Sequence, residues 1–295
     1  MTLRFLRSAS LATALGLALS VLSSPGATAT PTRPPRPTLV SITAQHLGDV
    51  DRVVLGFRNG LPAVYAAWAD TLRADGSGKT LRVGGAHLLV LGLPGATAHA
   101  HGATVRTRKA FALPNVITSV VHTDFEQYVS VALGVQERTS YSVTKLHDPD
   151  RVVIDVRADF PTTTRNIWLV DSHAAETGTG PIFVARPRPV RSDAPAAAAL
   201  HALFSGPTLR EKAAGLRLVR SRAWGHADLA IVDRVARLRL THGCDSGGST
   251  LTVAGEIMPT LRQFATVDRV KIYGPGGATE QPDGNVDSIP ACLEP

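Results

Sequence analysis

The sequence has few of the residues that metal clusters, disulfide scaffolds and membrane spans require. Its 295 residues include two cysteines, Cys244 and Cys292, and only 5% aromatic residues. Two thiols so far apart exclude a cysteine-rich zinc site and a scaffold held by several disulfides. Beyond the apolar run at residues 11–22, no stretch reaches the ~20 apolar residues that span a bilayer. The apolar content of 44% is typical of a globular protein rather than a disordered one.

The N-terminus has the pattern of an export signal. Arg4 and Arg7 precede an apolar run over residues 11–22, and Ala27-Thr28-Ala29 is the small-x-small pattern of a signal-peptidase site. We therefore predict a signal peptide over residues 1–29 and a secreted protein with no membrane span in the mature chain.

Export affects what can be inferred from the two cysteines and from the positive net charge. In an oxidising compartment, Cys244 and Cys292 are expected to form a disulfide. The formal net charge is +7, and its basic residues are spread over both halves of the chain. Nucleic-acid-binding proteins concentrate such residues on one face. Nucleic acid is therefore not expected as a partner, and an anionic cell envelope is the more natural counterpart.

The first half of the chain is typical of an all-β sandwich. After a proline-rich linker at residues 30–37, short β-like runs alternate with Gly, Pro and Asp, and no helical pattern is found. We predict a β domain over residues 38–160, followed by a linker at 161–166. The predicted strands include residues 52–57, 81–83, 87–91, 116–121, 128–133 and 151–156.

The second half, residues 167–295, mixes strands with helices and predicts a smaller α+β domain. One helix is expected to begin near Pro195 and a second at Thr208, which forms a capping box with Glu211. A third helical pattern covers residues 249–264 and is expected to kink at Pro259. Strands are predicted at residues 167–170, 182–184, 229–231, 235–240 and 270–273.

Three patterns of reactive side chains have simpler structural explanations. Cys244-Asp245-Ser246-Gly247-Gly248 resembles the surround of a trypsin-like nucleophile, but a triad also needs an imidazole and a buried carboxylate. The two histidines of His99-x-His101 supply too few ligands for zinc, and they lie in the other predicted domain. Two acid pairs lie at predicted turns, Asp124 with Glu126 and Asp148 with Asp150. We predict a polar loop at Ser246 whose serines help to cap the next helix, with no catalytic residue, metal or cofactor.

Arg186, Arg188 and Arg191 are the candidate ligand-binding residues. They alternate with Pro187 and Pro189, whose fixed torsions can splay the guanidinium groups toward a carboxylate or a phosphate. The prediction assumes that no nearby acid pairs with these arginines. The alternative is a solvated connection that leads into a helix.

Motifs in the second half resemble the GerMN domain over about residues 167–273. The resemblance implies a non-enzymatic module of germination and envelope proteins. The motifs are Arg188-Pro189-Val190, Ala202-Leu-Phe-Ser-Gly-Pro-Thr208 with Glu211 and Gly215, and Thr260-Leu-Arg-Gln-Phe264 before Val267-Asp-Arg-Val270.

The first half resembles the AMIN-like domain of secreted actinobacterial proteins over about residues 38–159. This resemblance implies a β-sandwich that targets proteins to the envelope, and it brings no catalytic residue. The motifs are Asp51-Arg-Val-Val-Leu-Gly-Phe57, Pro62 with Tyr65, Asp124-Phe-Glu126, Leu133-Gly-Val135 and Leu146-His-Asp-Pro-Asp-Arg-Val-Val-Ile-Asp-Val156.

Together these features predict a secreted, non-enzymatic protein of the cell envelope or cell wall. Its expected partner is peptidoglycan, another wall polymer or an envelope protein, in sporulation and germination, wall maintenance or signalling. Two alternatives are a secreted hydrolase that uses Ser246 and an extracytoplasmic regulator of a membrane sensor kinase.

Overall fold

The computed structural model describes residues 35–74, 77–100, 103–105 and 107–294. The predicted signal peptide, residues 30–34 and His101 lie outside the described residues. The strands are β1 (Thr38–Leu47), β2 (Val50–Arg58), β3 (Tyr65–Ala69), β4 (His87–Pro94), β5 (His99–Ala100), β6 (Ala103–Thr104), β7 (Arg108–Ala110), β8 (Val116–Phe125), β9 (Tyr128–Val135), β10 (Tyr141–Leu146), β11 (Arg151–Arg157), β12 (Thr162–Asp171), β13 (Phe183–Arg191), β14 (Leu216–Arg217), β15 (Gly225–Val232), β16 (Val235–Thr241) and β17 (Arg269–Tyr273). The helices are α1 (Ser172–Thr177), α2 (Pro195–Ser205), α3 (Leu209–Ala213) and α4 (Ala254–Arg262), with a 3-10 turn at Ala291–Leu293.

The N-terminal part, residues 35–160, is a sandwich of two antiparallel sheets. One sheet has the order β1-β2-β11-β10 and the other β3-β4-β9-β8-β7. In β2, buried residues alternate with more exposed ones, because successive side chains of a strand point to opposite faces. The buried side chains of both sheets form one core, which includes Leu55, Leu91, Leu133 and Ile154. The predicted all-β sandwich is confirmed.

Asp51 of the Asp-Arg-Val-Val motif has a structural role inside this sandwich. Its carboxylate is fully buried and accepts hydrogen bonds from the backbone N–H groups of Asn115 and Val116, at 2.6 and 2.8 Å. His46 provides a third partner at 2.8 Å. A buried carboxylate needs such partners to offset its lost hydration. The motif therefore fixes one sheet to the start of β8.

The C-terminal part, residues 161–294, has the predicted α+β architecture. One sheet has the order β13-β12-β14 and the other β15-β16-β17. Strands β16 and β17 are parallel, and α4 connects them. Residues of α2, α4 and both sheets share one core, which includes Ile167, Phe204, Leu238 and Ile257.

Some predicted boundaries are wrong. Residues 81–83 form no strand but an irregular segment before β4. Helix α4 begins at Ala254 rather than at residue 249, because glycines and a serine turn occupy the preceding loop. Its N-cap is Val253, which makes no side-chain capping bond, so the expected serine cap is absent. The segment 161–166, expected as a linker, lies largely in β12.

Candidate functional site

The three predicted arginines do not form a free cationic cluster. Arg188 is only 3% exposed, and its guanidinium forms two parallel hydrogen bonds with the carboxylate of Glu211, at 2.8 and 2.6 Å. Arg191 pairs with Asp193 and with Glu137 of the N-terminal part. The assumption that nearby acids leave these arginines unpaired is therefore wrong for Arg188 and Arg191. Arg186 donates to the carbonyl oxygen of Ala185, and no carboxylate of the described residues pairs with it.

The two cysteines pin the C-terminal tail to the C-terminal part. Cys244 and Cys292 form a disulfide, and the adjacent Leu293 is fully buried. The Nζ atom of the buried Lys271 donates to the carbonyl oxygens of Gln281 and Asp283 in the same tail. The segment is thus held at several points along its length.

The motif around Ser246 is a turn. Asp245 accepts a hydrogen bond from the Gly247 N–H at 2.6 Å, and the Ser246 carbonyl accepts one from Ser249. No imidazole or carboxylate of the described residues hydrogen-bonds to the Ser246 hydroxyl, and His99 pairs with Asp124 in the N-terminal part. Among the described residues, no candidate triad partner therefore meets this serine.

In the predicted acid pairs, Glu126 and Asp148 lie in turns. The pairs do not belong to a set of metal ligands among the described residues. Glu126 and Asp148 have positive φ angles of 48° and 51° in hairpin turns. Asp150 accepts a hydrogen bond from the Gly60 N–H at 3.0 Å and joins two loops. Within the described ranges, no three His, Cys, Asp or Glu side chains are arranged to hold a metal ion.

Polar contacts join the N-terminal and C-terminal parts. Gln136 donates to the carbonyl oxygen of Ala198 on α2 at 3.1 Å and contacts His201 at 3.3 Å. The backbone of Ala110 forms a parallel β-bridge with Thr208. Gly84 packs so closely against Ser205 that a Cβ atom at Gly84 would lie 2.1 Å from the serine hydroxyl oxygen. The absence of a side chain at Gly84 therefore permits this approach.

A groove of about 810 Å³ lies at this junction, and we call it the junction groove. Its cationic side chains come from both parts, and no Asp or Glu of the described residues lines it. The lining includes Ser172, Ser205 and Ser221 beside the apolar Phe204 and Leu218. The five cations are Arg82, Arg108, Lys212, Arg217 and Arg220.

Burial and hydrogen bonds hold two of these cations in the wall of the groove. The Nη2 atom of Arg108 donates to the carbonyl oxygen of Arg82, and Arg82 donates to that of Phe204 at 3.3 Å. Loss of hydration lowers the pKa of Arg82. It lowers the pKa of Arg108 to about 10, and the neighbouring charge of Arg82 adds to this effect. With a pKa of about 10, Arg108 remains cationic near pH 7. Arg82 is cationic there as well, because arginine side chains in proteins stay protonated at this pH.

Glu256 on α4 is an acid that interacts electrostatically with Arg82 and Arg217 of the groove. Its side chain is fully buried, and both carboxyl oxygens lie 3.1 Å from the Val219 N–H. Burial raises the pKa of Glu256 to about 8, against the opposing effects of backbone N–H groups, Arg217 and Arg82. Glu256 is therefore mostly neutral at pH 7 and contributes little negative charge beside Arg82 and Arg217.

A second, smaller space of about 280 Å³ adjoins the junction, and we call it the histidine cleft. Its lining includes His201, His226 and His242, and it shares Arg82 and Phe204 with the junction groove. The rings of His201 and His226 have centroids 4.8 Å apart. Burial lowers the pKa of His201 to about 4 and that of His226 to about 3. Both imidazoles are therefore neutral at pH 7.

Sequence reasoning missed the junction groove because its cations are far apart along the chain. Arg82 precedes β4, Arg108 begins β7, and Lys212 lies in α3. Only the packing of the two parts brings them together. The one local signal is the short distance in sequence between Lys212, Arg217 and Arg220, beside the capping box of α3.

Comparison with known proteins gives one solved structure to report. The tandem GerMN domains of the sporulation protein GerM from Bacillus subtilis are similar to part of the chain, with 17% sequence identity and a TM-score of 0.29. The similarity covers 44% of this chain and 45% of that one. A search of curated proteins finds no match. No helix in the described ranges has the length and apolar character needed to cross a membrane.

The family comparison concerns the N-terminal part. Residues 37–158 match the family model of the AMIN-like domain, which agrees with the motifs quoted above and with the sandwich fold. Residues 37–158 therefore form an AMIN-like domain, which precedes the part of the chain whose motifs resemble the GerMN domain.

Proposed function

We propose that this protein is a secreted, non-enzymatic component of the cell envelope that binds an anionic wall polymer through the junction groove. An AMIN-like domain and a disulfide support an extracytoplasmic, envelope-associated protein. The two family resemblances bring no catalytic residue, and the motif at Ser246 lies in a turn. The proposal therefore concerns binding rather than chemistry.

The observation that carries the proposal is the one-sided charge of the junction groove. Five cations line it, its lining contains no Asp or Glu of the described residues, and the buried Glu256 is mostly neutral at pH 7. A cleft lined by one sign of charge concentrates ligands of the opposite sign. A groove of about 810 Å³ also has room for several units of an extended polymer.

Retention on purified wall material tests this proposal. The groove variant replaces the three exposed cations of the groove, Lys212, Arg217 and Arg220, with Gln. Exposed charge pairs contribute about 0.2–1 kcal/mol each, so the variant is expected to bind about tenfold more weakly at low salt. Failure of the wild-type protein to be retained at low and moderate salt would contradict wall binding itself.

A matched control separates the junction groove from net charge. Arg58, Lys79 and Lys145 lie outside the groove, and their replacement with Gln removes the same number of positive charges. This control variant is expected to bind as the wild type does. An equal loss in both variants would show that overall charge, rather than the groove, attracts the polymer. Retention of an acidic envelope protein in place of the polymer would overturn the proposed partner.

A further inference from the structure

The inner wall of the junction groove holds two guanidinium groups in fixed positions. Arg108 donates to the backbone of Arg82, and Arg82 donates to the backbone of Phe204 on α2. The Nη1 atom of Arg108 is buried, and no hydrogen-bond partner for it is found in the part of the chain that the structure describes. Buried N–H donors in proteins nearly always have a partner. An external acceptor at this point would satisfy the orphaned donor.

Among the described residues that line the groove, no Asp or Glu supplies a counter-charge to this pair. Both charges belong to the lining of one groove, and burial has removed much of their hydration, which is costly unless an anion joins them. The lining of the groove contains no described acid. Glu256 bonds to the backbone of Val219 rather than to either arginine, and it is mostly neutral at pH 7. The pair is therefore complementary to an anion from outside the chain.

The chemistry of the pair favours phosphate over carboxylate. A carboxylate carries one charge on two oxygens, whereas a phosphate group carries up to two charges on three or more acceptor oxygens. Guanidinium groups match such oxygens with parallel N–H donors. We infer that Arg82 and Arg108 form a phosphate-binding subsite in the junction groove, an inference that rests on the proposed function for the source of the phosphate.

The size of the groove and its further cations favour a phosphate-bearing polymer as the source of the phosphate group. Lys212, Arg217 and Arg220 also line the groove, which is much larger than one phosphate group. Further phosphates of the same polymer chain would meet these cations. A phospholipid headgroup and free phosphate share the same chemistry, so the experiment distinguishes these sources.

Calorimetric titration of the full chain with inorganic phosphate, sulfate and acetate tests the subsite. Phosphate at pH 8 and sulfate are expected to bind at least about tenfold more tightly than acetate, because each supplies two charges. The affinity ratio of phosphate to sulfate should fall at lower pH, since phosphate gains a proton and sulfate does not. Sulfate also corrects for the titration of protein groups such as Glu256. Equal affinity for phosphate and acetate would overturn the inference.

Substitution then locates the subsite. Arg108→Gln is expected to weaken phosphate binding at least about tenfold, whereas Arg58→Gln, outside the groove, should leave it unchanged. If Arg108→Gln does not fold, side-chain NMR of the wild-type arginines replaces it. Phosphate should then shift the Arg82 and Arg108 guanidinium signals. Shifts confined to other arginines would overturn the inference.

Two further ligands identify the source of the phosphate. Each phosphodiester of a glycerol phosphate oligomer carries one charge, but several of them can meet the subsite and the other groove cations at once. The oligomer is therefore expected to bind at least about tenfold more tightly than inorganic phosphate. Binding to phosphatidylglycerol vesicles but not to the oligomer would overturn the polymer source. Phosphate binding without retention on wall material would refute the proposed function alone. Wall retention without a preference for phosphate would refute the subsite alone.

Discussion

Glu256→Gln tests the unusual acid beneath the junction groove. Glu256 is fully buried, and the Val219 N–H lies 3.1 Å from both of its carboxyl oxygens. Burial raises its pKa from 4.5 to about 8, which exceeds the lowering effects of hydrogen bonds and of the nearby arginines. Gln has nearly the same shape and keeps an acceptor for Val219, but it cannot ionise.

The sign of the effect follows from proton linkage. The folded pKa of Glu256 is higher than the unfolded one, so its contribution to stability is fully present below about pH 4.5 and is lost as the pH rises to about 8. At pH 7, ionisation of the unfolded chain, with its pKa of 4.5, costs the wild type up to about 3 kcal/mol. Glu256→Gln should therefore be up to about 3 kcal/mol more stable than the wild type at pH 7 and about equally stable at pH 4.

Urea unfolding followed by circular dichroism between pH 4 and pH 8 measures this difference. Glu176→Gln, an exposed acid for comparison, should stay within about 0.5 kcal/mol of the wild type throughout. The reasoning is refuted if Glu256→Gln is less stable than the wild type at pH 7 by an amount that does not change with pH. That result would mean that Glu256 is ionised and already offsets the charge of the groove.

Three other predictions concern stability. Arg188→Gln should lower the free energy of unfolding in urea by about 3 kcal/mol, because it leaves the partly buried carboxylate of Glu211 unpaired. Arg186→Gln should change this free energy little, and equal effects of the two substitutions would contradict the prediction. The contribution of His226 to stability is present above its ordinary pKa of 6.5 and is lost as the pH falls toward about 3, so His226→Phe should reduce the loss of thermal stability between pH 7 and pH 5. An unchanged pH dependence would argue against a buried neutral imidazole. Reduction of Cys244–Cys292, which are 48 residues apart, should cost about 4 kcal/mol, and an unchanged urea midpoint would contradict that value.

Features that depend on neighbouring residues could be predicted from the sequence. The capping box of α3 has both of its hydrogen bonds, between Thr208 and Glu211. The strands of the sandwich coincide with short apolar runs in the sequence. This pattern is local, because the pleat of a strand places alternate side chains on the face toward the core. The disulfide required only an oxidising compartment and two cysteines. In each case the determining contacts lie within a few residues or involve a single pairing choice.

Features that depend on packing between distant segments could not be predicted. Glu211 serves the capping box and also pairs with Arg188, a residue 23 positions earlier, and no local pattern reveals this second role. The segment at residues 81–83 has the composition of a strand but lines the histidine cleft instead. Arg82 and Arg108 become neighbours only when the segment before β4 approaches β7. The positive charge of the junction groove therefore arises from the fold and not from a single segment of the sequence.

The salt dependence of polymer affinity tests the central claim most directly. Fluorescence anisotropy of a labelled wall polymer, measured from low to moderate ionic strength, gives the dissociation constant of each protein. The wild type and the control variant (Arg58, Lys79 and Lys145 to Gln) are expected to lose affinity steeply and in parallel as salt screens the charges. The groove variant should bind more weakly and with a shallower slope. Parallel slopes for all three proteins would contradict an anion site in the junction groove.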